Sequence, residues 1–248
     1  MENGVIGTMI SSLKYGIKVY EANLDEKLSK ELGKEPGRYI TINTNELIHT
    51  SFLARKLVCK VVASELSKFL LGTRLLVVGL GNAFLVADSL SSVVIQNLLV
   101  THNMPENIKK NLPDVCALIT GVSGINGFAT ADLVKSVVNM VKPSQVIVID
   151  AFIAHDSERL GRSFQISDSG ITAGAGLGRK NQSLNNAFLN VPVVSIGVPL
   201  MMNVLDWGAD ENFVGTPKEI DILTRNCGKI LSRALNLALY GKKYFDYV

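Results

Sequence analysis

The sequence predicts an α/β protein in three layers, a largely parallel central sheet with helices on both faces, and three observations carry that expectation. Four apolar, partly β-branched runs of strand length recur, over residues 75–79, 115–119, 146–149 and 192–198. Stretches with apolar residues three and four apart separate them, the spacing of amphipathic helices. Strands alternating with helices build βαβ units and hence a parallel sheet. No internal repeat or linker divides the 248 residues, so one domain is expected, with a less regular part over 1–50 and a C-terminal helix over 216–240.

Taken in order, residues 1–13 are weakly patterned, interrupted by Gly4 and Gly7, and residues 14–20 alternate as a short strand does. Residues 25–32 suit a short helix stopped by Gly33, Glu35-Pro36-Gly37 is a turn signal, and Tyr39-Ile40-Thr41-Ile42 reads as a strand. Over 51–70, Leu53, Leu57, Val58, Val61, Val62, Leu66, Phe69 and Leu70 define one helical face, ended by Gly72. The strand at 75 breaks at Gly79 and Gly81, and Leu90, Val93, Val94, Asn97 and Leu98 then continue as a helical stripe. The strand at 115–119 opens into Gly121-Val-Ser-Gly124-Ile-Asn-Gly127. Thr130 is placed to cap the next helix, whose inner face is Leu133, Val134, Val137, Val138 and Val141 and which Pro143 closes. The strand at 146–149 ends in Asp150. A polar segment over 157–169 leads to Gly170-Ile-Thr-Ala-Gly174-Ala-Gly176-Leu-Gly178, and the last strand stops at Pro199. Thr216-Pro217-Lys218-Glu219 combines a capping box with proline at the first helical position.

Composition narrows the function classes. A net charge of +3, with basic residues scattered among nearly as many acids, does not describe a nucleic-acid binder. Cys59, Cys116 and Cys227 are odd in number and widely spaced, with no CxxC, which argues against a disulfide framework or zinc site and for a reducing cytoplasmic compartment. The N-terminus shows no secretory pattern, and the apolar runs fall far short of the ~20 residues of a membrane helix.

The candidate chemistry lies in two acids, Asp88 and Asp150, each just past a buried strand. In parallel α/β sheets, ligands collect at the carboxyl ends of the strands, so the two are expected to face one crevice. Neighbouring carboxylates cannot both ionise cheaply, and the pair then offers one base and one acid for activating water. The plainer alternatives are an acid at a helix start for Asp88 and a loop-capping acid for Asp150.

The ordered series Gly33-Lys-Glu-Pro-Gly-Arg-Tyr39, Gly79-Leu-Gly-Asn82, Asp88, Asn97-Leu-Leu-Val-Thr101, 121–132, Ile149-Asp150-Ala151, Glu158-Arg159, Gln165-Ile-Ser-Asp168-Ser-Gly170-Ile, Ile196-Gly-Val-Pro199 and Thr216-Pro-Lys-Glu219 resembles the germination proteases of spore-forming bacteria. The resemblance implies an endopeptidase that degrades small acid-soluble spore proteins in the forespore or spore core. It also implies Asp88 and Asp150 as catalytic residues, no cofactor, a homo-oligomer, and a phosphorylase/hydrolase-like fold similar to that of hydrogenase-maturation endopeptidases. Three departures stand out. Asp88-Ser-Leu-Ser-Ser92 replaces the family's Asp-Ala-Leu-Gly-Pro, Thr172-Ala173-Gly174 replaces a His-Pro-Gly element, and a segment before Thr216 is reduced to residues 200–215. No pro-segment is evident.

Gly79, Gly81 and Asn82 are expected to let the backbone turn tightly against a bound peptide. A dinucleotide site is the weaker reading of the same turn, since the third glycine and a well-placed acid are missing. Gly121 and Gly124, with Gly170 and Gly174, are candidates to present N–H groups to a substrate, with ordinary turns as the alternative. Asp168 is a third acid in a matching motif, equally suited to a side-chain-to-backbone bond. No metal site is assigned: His155, five residues beyond Asp150, reads as a loop residue, and His49 and His102 carry no ligand pattern. A non-catalytic relative that binds a spore protein or self-assembles, and a metal-dependent maturation-type peptidase, remain the alternatives to an active endopeptidase.

Overall fold

The computed structural model describes residues 10–45, 48, 51–154, 156–172, 182–203 and 213–242. Strand β1 (Ile10–Lys14) and strand β2 (Ile17–Leu24) form a hairpin across Tyr15 and Gly16, at φ 53° and 83°. A two-residue turn with both φ positive matches the twist of paired strands. A turn therefore stands where one strand over 14–20 was expected. Helix α1 (Glu26–Leu32) starts on Asp25, whose side chain accepts the Leu28 N–H, and ends on left-handed Gly33. With strand β3 (Gly37–Asn43), residues 10–43 prove regular rather than loosely patterned.

Helix α2 (Phe52–Leu66) is capped by the Ser51 side chain and ends four residues before the apolar stripe does. Strand β4 (Arg74–Gly79), a 3-10 turn over Val86–Asp88, helix α3 (Leu90–Gln96), helix α4 (Glu106–Lys109) and strand β5 (Asp114–Ile119) follow. Beyond helix α5 (Ser123–Asn126) comes helix α6 (Thr130–Val141), where Ala129 holds the cap position without a side-chain bond; Thr130, expected as the cap, is the first helical residue. Strand β6 (Gln145–Ala154) runs past Asp150 instead of ending there. After a 3-10 turn over Ser157–Arg159, the polar segment yields an unexpected strand, β7 (Ser163–Ser167), in which Phe164 and Ile166 alternate into the core. Strand β8 (Ile171–Thr172), strand β9 (Ser183–Leu184) and helix α7 (Asn186–Leu189) precede strand β10 (Val193–Asn203), which continues beyond Pro199. Its register to β6 shifts between Pro199 and Met201, which accommodates a residue that cannot donate to the ladder. Strand β11 (Val214–Gly215) leads to helix α8 (Ile220–Tyr240), which begins four residues after Thr216; the Ile220 N–H first bonds back to the Pro217 carbonyl in a tighter turn.

Nine strands share one sheet in the order β1-β2-β3-β7-β10-β6-β4-β5, with β11 added on β10. The central part, β10-β6-β4-β5, is parallel, as expected. Residues 10–43 and β7 extend it with antiparallel strands, the pairing that a tight hairpin such as β1–β2 allows. Alternate residues of β4 and β6 serve opposite faces. Leu75, Val77, Ile147 and Ile149 meet Val58 and Leu66 of α2, Val94 of α3 and Leu231 and Leu235 of α8. Leu76, Val78, Val146 and Val148 meet Val134 and Val138 of α6. This apolar run on both faces is what a parallel strand between two helix layers requires.

Glu65 of α2 has a fully buried side chain, and both Lys14 of β1 and Lys68 reach it at 2.5 Å. Burial acts to raise its pKa, but the two ammonium groups outweigh burial and hold it below its ordinary value. The ion triplet fastens the hairpin to the helix layer. Replacing both lysines, Lys14→Met with Lys68→Met, leaves a buried carboxylate uncompensated. Urea unfolding at pH 7 should register a loss of about 3 kcal/mol.

Candidate active site

Strand β4 stops at Gly79, paired with Ile149 of β6, while β6 continues. The next peptide group, at Leu80, is held from both sides. Its N–H donates to the Ile149 carbonyl at 2.9 Å, and its carbonyl accepts the hydroxyl of Ser91 in α3. Ile149 directly precedes Asp150, and Ser91 lies three residues after Asp88, so one peptide unit ties together the segments bearing both acids. Gly79 permits this approach: a Cβ there would meet Ile95 Cδ1 at 2.7 Å and Ser91 Cβ at 2.9 Å. Gly81, at φ 101°, passes beneath the acid, and a Cβ would lie 2.3 Å from the Asp88 carbonyl oxygen. The Asn82 N–H then donates to Asp88 Oδ2 at 2.7 Å.

Asp150 sits inside β6, one residue beyond the end of β4 and opposite Gly197 of β10. A Cβ at 197 would stand 2.5 Å from the Asp150 carbonyl oxygen and from the Phe152 ring, so glycine lets the two strands close. Both acids are half-buried. The Asp150 carboxyl is pushed up to about 8, first by burial and then by the charge of Asp88, against one stabilising bond from the Ala151 N–H. Asp88 is also raised by burial, opposed by the Asn82 N–H. Both shifts favour the protonated form, and the further raised Asp150 is the member that holds its proton to higher pH.

Gly121, at φ 65°, starts the loop after β5 on the same sheet edge. The Thr120 N–H donates to the Gly79 carbonyl, and Asn126 Nδ2 donates to the Thr120 carbonyl at 2.7 Å. Gly124 has open space around it. The loops after β4 and β5 expose large apolar side chains: Phe84 at 86%, Phe128 at 62% and Ile125 at 58%.

Asp168 and Gly170 are not brought to the pair. Ser167 pairs with Ser195, two residues before Gly197, and β10 stands between β7 and β6. Asp168 is thus displaced from Asp150 by roughly 10 Å along the strands and about 10 Å across them. Its Oδ1 accepts the Arg38 N–H at 2.7 Å, tying β7 to β3. At Gly170, φ 84°, a Cβ would lie 2.4 Å from the Leu184 carbonyl oxygen, a close contact with β9. Both expectations give way to structural roles, because the loop after an antiparallel strand emerges at the opposite edge of the parallel set. Gly174, His49 and His155 lie outside the described residues. His102 bonds Asp114 at 2.9 Å near the amino end of β5. Among the described residues no three His, Cys, Asp or Glu side chains gather as a metal cluster.

The residues that sequence reasoning missed are Leu80, Ser91 and Gly197. Ser91 was visible as a departure from the family motif, and Gly197 as part of one, but their partners are remote in sequence.

Fold and site together define a class: a layered α/β protein with two half-buried acids at the carboxyl edge of its sheet. The germination protease family model matches residues 3–211, and the chain belongs to that family. It is 34% identical to a germination protease of Caldanaerobacter subterraneus subsp. tengcongensis, over 90% of this chain and 85% of that one. Relatives of the same description in Bacillus licheniformis and a Geobacillus species are 39% and 36% identical over 79% of this chain, which spans 56% and 55% of their lengths. Among solved structures, a NiFe hydrogenase maturation protease, HycI, of Thermococcus kodakarensis KOD1 aligns with 69% of this chain and 99% of its own, with TM-score 0.42 and 19% identity.

The raised Asp150 carboxyl has a definite linkage sign. The folded protein holds this proton above the unfolded value near 3.8, so its contribution is full below that value and is lost as pH rises towards about 8. Asp150→Asn should therefore gain melting temperature over the parent at pH 7.5 and much less at pH 4.5. Ser91→Ala leaves the buried Leu80 carbonyl without its donor and should cost about 1–3 kcal/mol in urea unfolding.

Proposed function

We propose that the chain is an endopeptidase that starts the degradation of small acid-soluble spore proteins, in the forespore or spore core, through water activated by Asp88 and Asp150. The observation that carries this reading is the clamp at Leu80, which ties the Asp88 turn and helix to the β6 segment that bears Asp150, with burial and the charge of Asp88 both acting to raise the Asp150 carboxyl. Asp88 takes a proton from water as its oxygen attacks the scissile carbonyl carbon, while Asp150 gives its proton to the carbonyl oxygen. In the return step Asp88 passes its proton to the leaving amine, the C–N bond breaks, and Asp150 recovers its own. No covalent enzyme intermediate is required.

Apolar side chains exposed on the loops after β4 and β5 suit an open crevice for a polypeptide, and the turn at Gly81 and Asn82 lets the backbone approach it. Membership of the germination proteases supports the substrate class; the aspartate roles rest on geometry and charge.

The test is cleavage of a purified small acid-soluble spore protein at several pH values, with and without a chelator. The parent should yield discrete fragments whether or not chelator is present, and Asp88→Asn and Asp150→Asn should each lower kcat by about 100-fold or more. The rate should rise with pH as Asp88 ionises and fall as Asp150 loses its proton near 8. Loss of cleavage on chelation would transfer the chemistry to a metal. A folded parent that binds the spore protein without cutting it would leave a binding protein.

A further inference from the structure

Alternation along β6 turns Ile149, Ala151 and Ile153 towards the layer of α2, α3 and α8, so Asp150 and Phe152 share the opposite face. Asp150 pairs with Gly197 of β10. With no side chain at 197, the Phe152 ring leans across the strands, and its Cζ and Cε1 lie 2.5 and 2.7 Å from the point a Cβ there would occupy. The Asp150 carbonyl oxygen is 2.5 Å from the same point. On the β4 side, Leu80 follows the Gly79–Ile149 pair and belongs to the buried layer. Asp150 thus sits between Leu80 and the Phe152 ring.

Core packing does not account for Phe152. It is half-buried and, among the described residues, belongs to none of the clusters that the helix layers form with the sheet. A phenyl ring over a glycine and beside an acid takes away water that the charged carboxylate needs more than the neutral acid does. The elements around Asp150 bring it one charge. Strand β10 and helices α3 and α7 hold no acid or base, and Arg74, the one such residue of β4, lies at the far end on Asp114. Helix α6 carries Asp132, which is exposed, and Lys135, which donates to the Phe188 carbonyl. The charged residues of α2 and α8 belong to helices packed on the other face. That leaves Asp88, from the 3-10 turn, whose charge opposes ionisation of Asp150.

We propose that Phe152 is a positioning residue for the hydrolysis, a ring that closes Asp150 off from water on the β10 side. Behind this wall Asp150 keeps its proton to a higher pH than an open strand-end acid does. The part in hydrolysis rests on the aspartate-pair reading above; the wall itself rests on the ring, Gly197 and the strand register.

The test is a carbon-13 NMR titration of the aspartate carboxyls in the full chain, with the Asp150 signal assigned by its loss in Asp150→Asn. Cleavage of a purified small acid-soluble spore protein is followed over the same pH range. Phe152→Ala opens the wall and should lower the Asp150 midpoint by about one pH unit, roughly 10-fold in proton affinity, with the falling limb of the rate moving to lower pH by the same amount. Phe152→Leu keeps an apolar wall and should titrate as the parent does, whereas Phe152→Gln keeps bulk but adds a polar group and should fall as alanine does. Ile153→Ala, on the opposite face, controls for general loosening of β6 and should leave the midpoint in place. If the alanine variant does not fold, the leucine and glutamine variants decide. An unmoved midpoint in the alanine and glutamine variants, an equal fall in Phe152→Leu or Ile153→Ala, or a rate limb that ignores a shifted midpoint overturns the proposal. So does a change in KM alone, which would make the ring a substrate contact. If the midpoint follows residue 152 but the parent cuts nothing, the endopeptidase reading fails and the wall around Asp150 stands; if the parent cuts and the midpoint never moves, the wall fails and the endopeptidase reading stands.

Discussion

The peptide group of Leu80 is the constraint on which the site depends. Its N–H is spent on the Ile149 carbonyl and its carbonyl on the Ser91 hydroxyl, so a single planar unit joins the β6 segment before Asp150 to the helix after Asp88. Planarity matters because donor and acceptor then point in opposed, fixed directions. Neither acid-bearing segment can shift without breaking a buried hydrogen bond. Gly79 and Gly81 flank the unit for different reasons: the first makes room for α3, the second adopts a left-handed φ so that the chain turns under Asp88.

That clamp places two carboxylates where a protein seeking only stability would not. Burial and mutual repulsion favour the protonated form of Asp150, a free-energy cost that grows as pH rises. The cost is carried by the surrounding apolar layers, where the buried strands β4, β6 and β10 meet α2, α3 and α8 on one face and α6 on the other. Glu65 is the contrasting case. Its carboxylate is fully buried, yet two lysines hold it ionised, and it fastens two elements together. Asp150 and Glu65 carry the same functional group in opposite electrostatic surroundings.

The Asp-Ser-Leu-Ser-Ser stretch illustrates how a departure from a family motif can be accommodated. Ser91 stands where the resemblance set a glycine, and its hydroxyl supplies the donor for the Leu80 carbonyl. The helix start is different in composition, but Asp88 keeps its backbone partner at Asn82 and its influence on Asp150. Three-residue spacing from Asp88 to Ser91 sets the hydroxyl one helical turn beyond the acid.

What the sequence determined by itself was local and periodic. Apolar runs at strand length, helical stripes and the glycines at the end of β4 were enough to draw the layered α/β architecture, and two acids late in or after those runs marked the carboxyl edge of the sheet. Period-two alternation also existed at Phe164 and Ile166, but it was masked by serine, glutamine and charged neighbours, so β7 read as a polar segment. The tertiary structure alone decided matters of long range. Whether Asp168 joins the acids depended on the direction of β7, and antiparallel pairing carried it to the opposite edge, bonded to Arg38 130 residues away. Whether Asp150 is neutral or charged depended on the burial and on the Asp88 charge delivered by a turn sixty-two positions earlier in the chain. Burial and charge act through space, and a one-dimensional pattern records only which residues are available to meet.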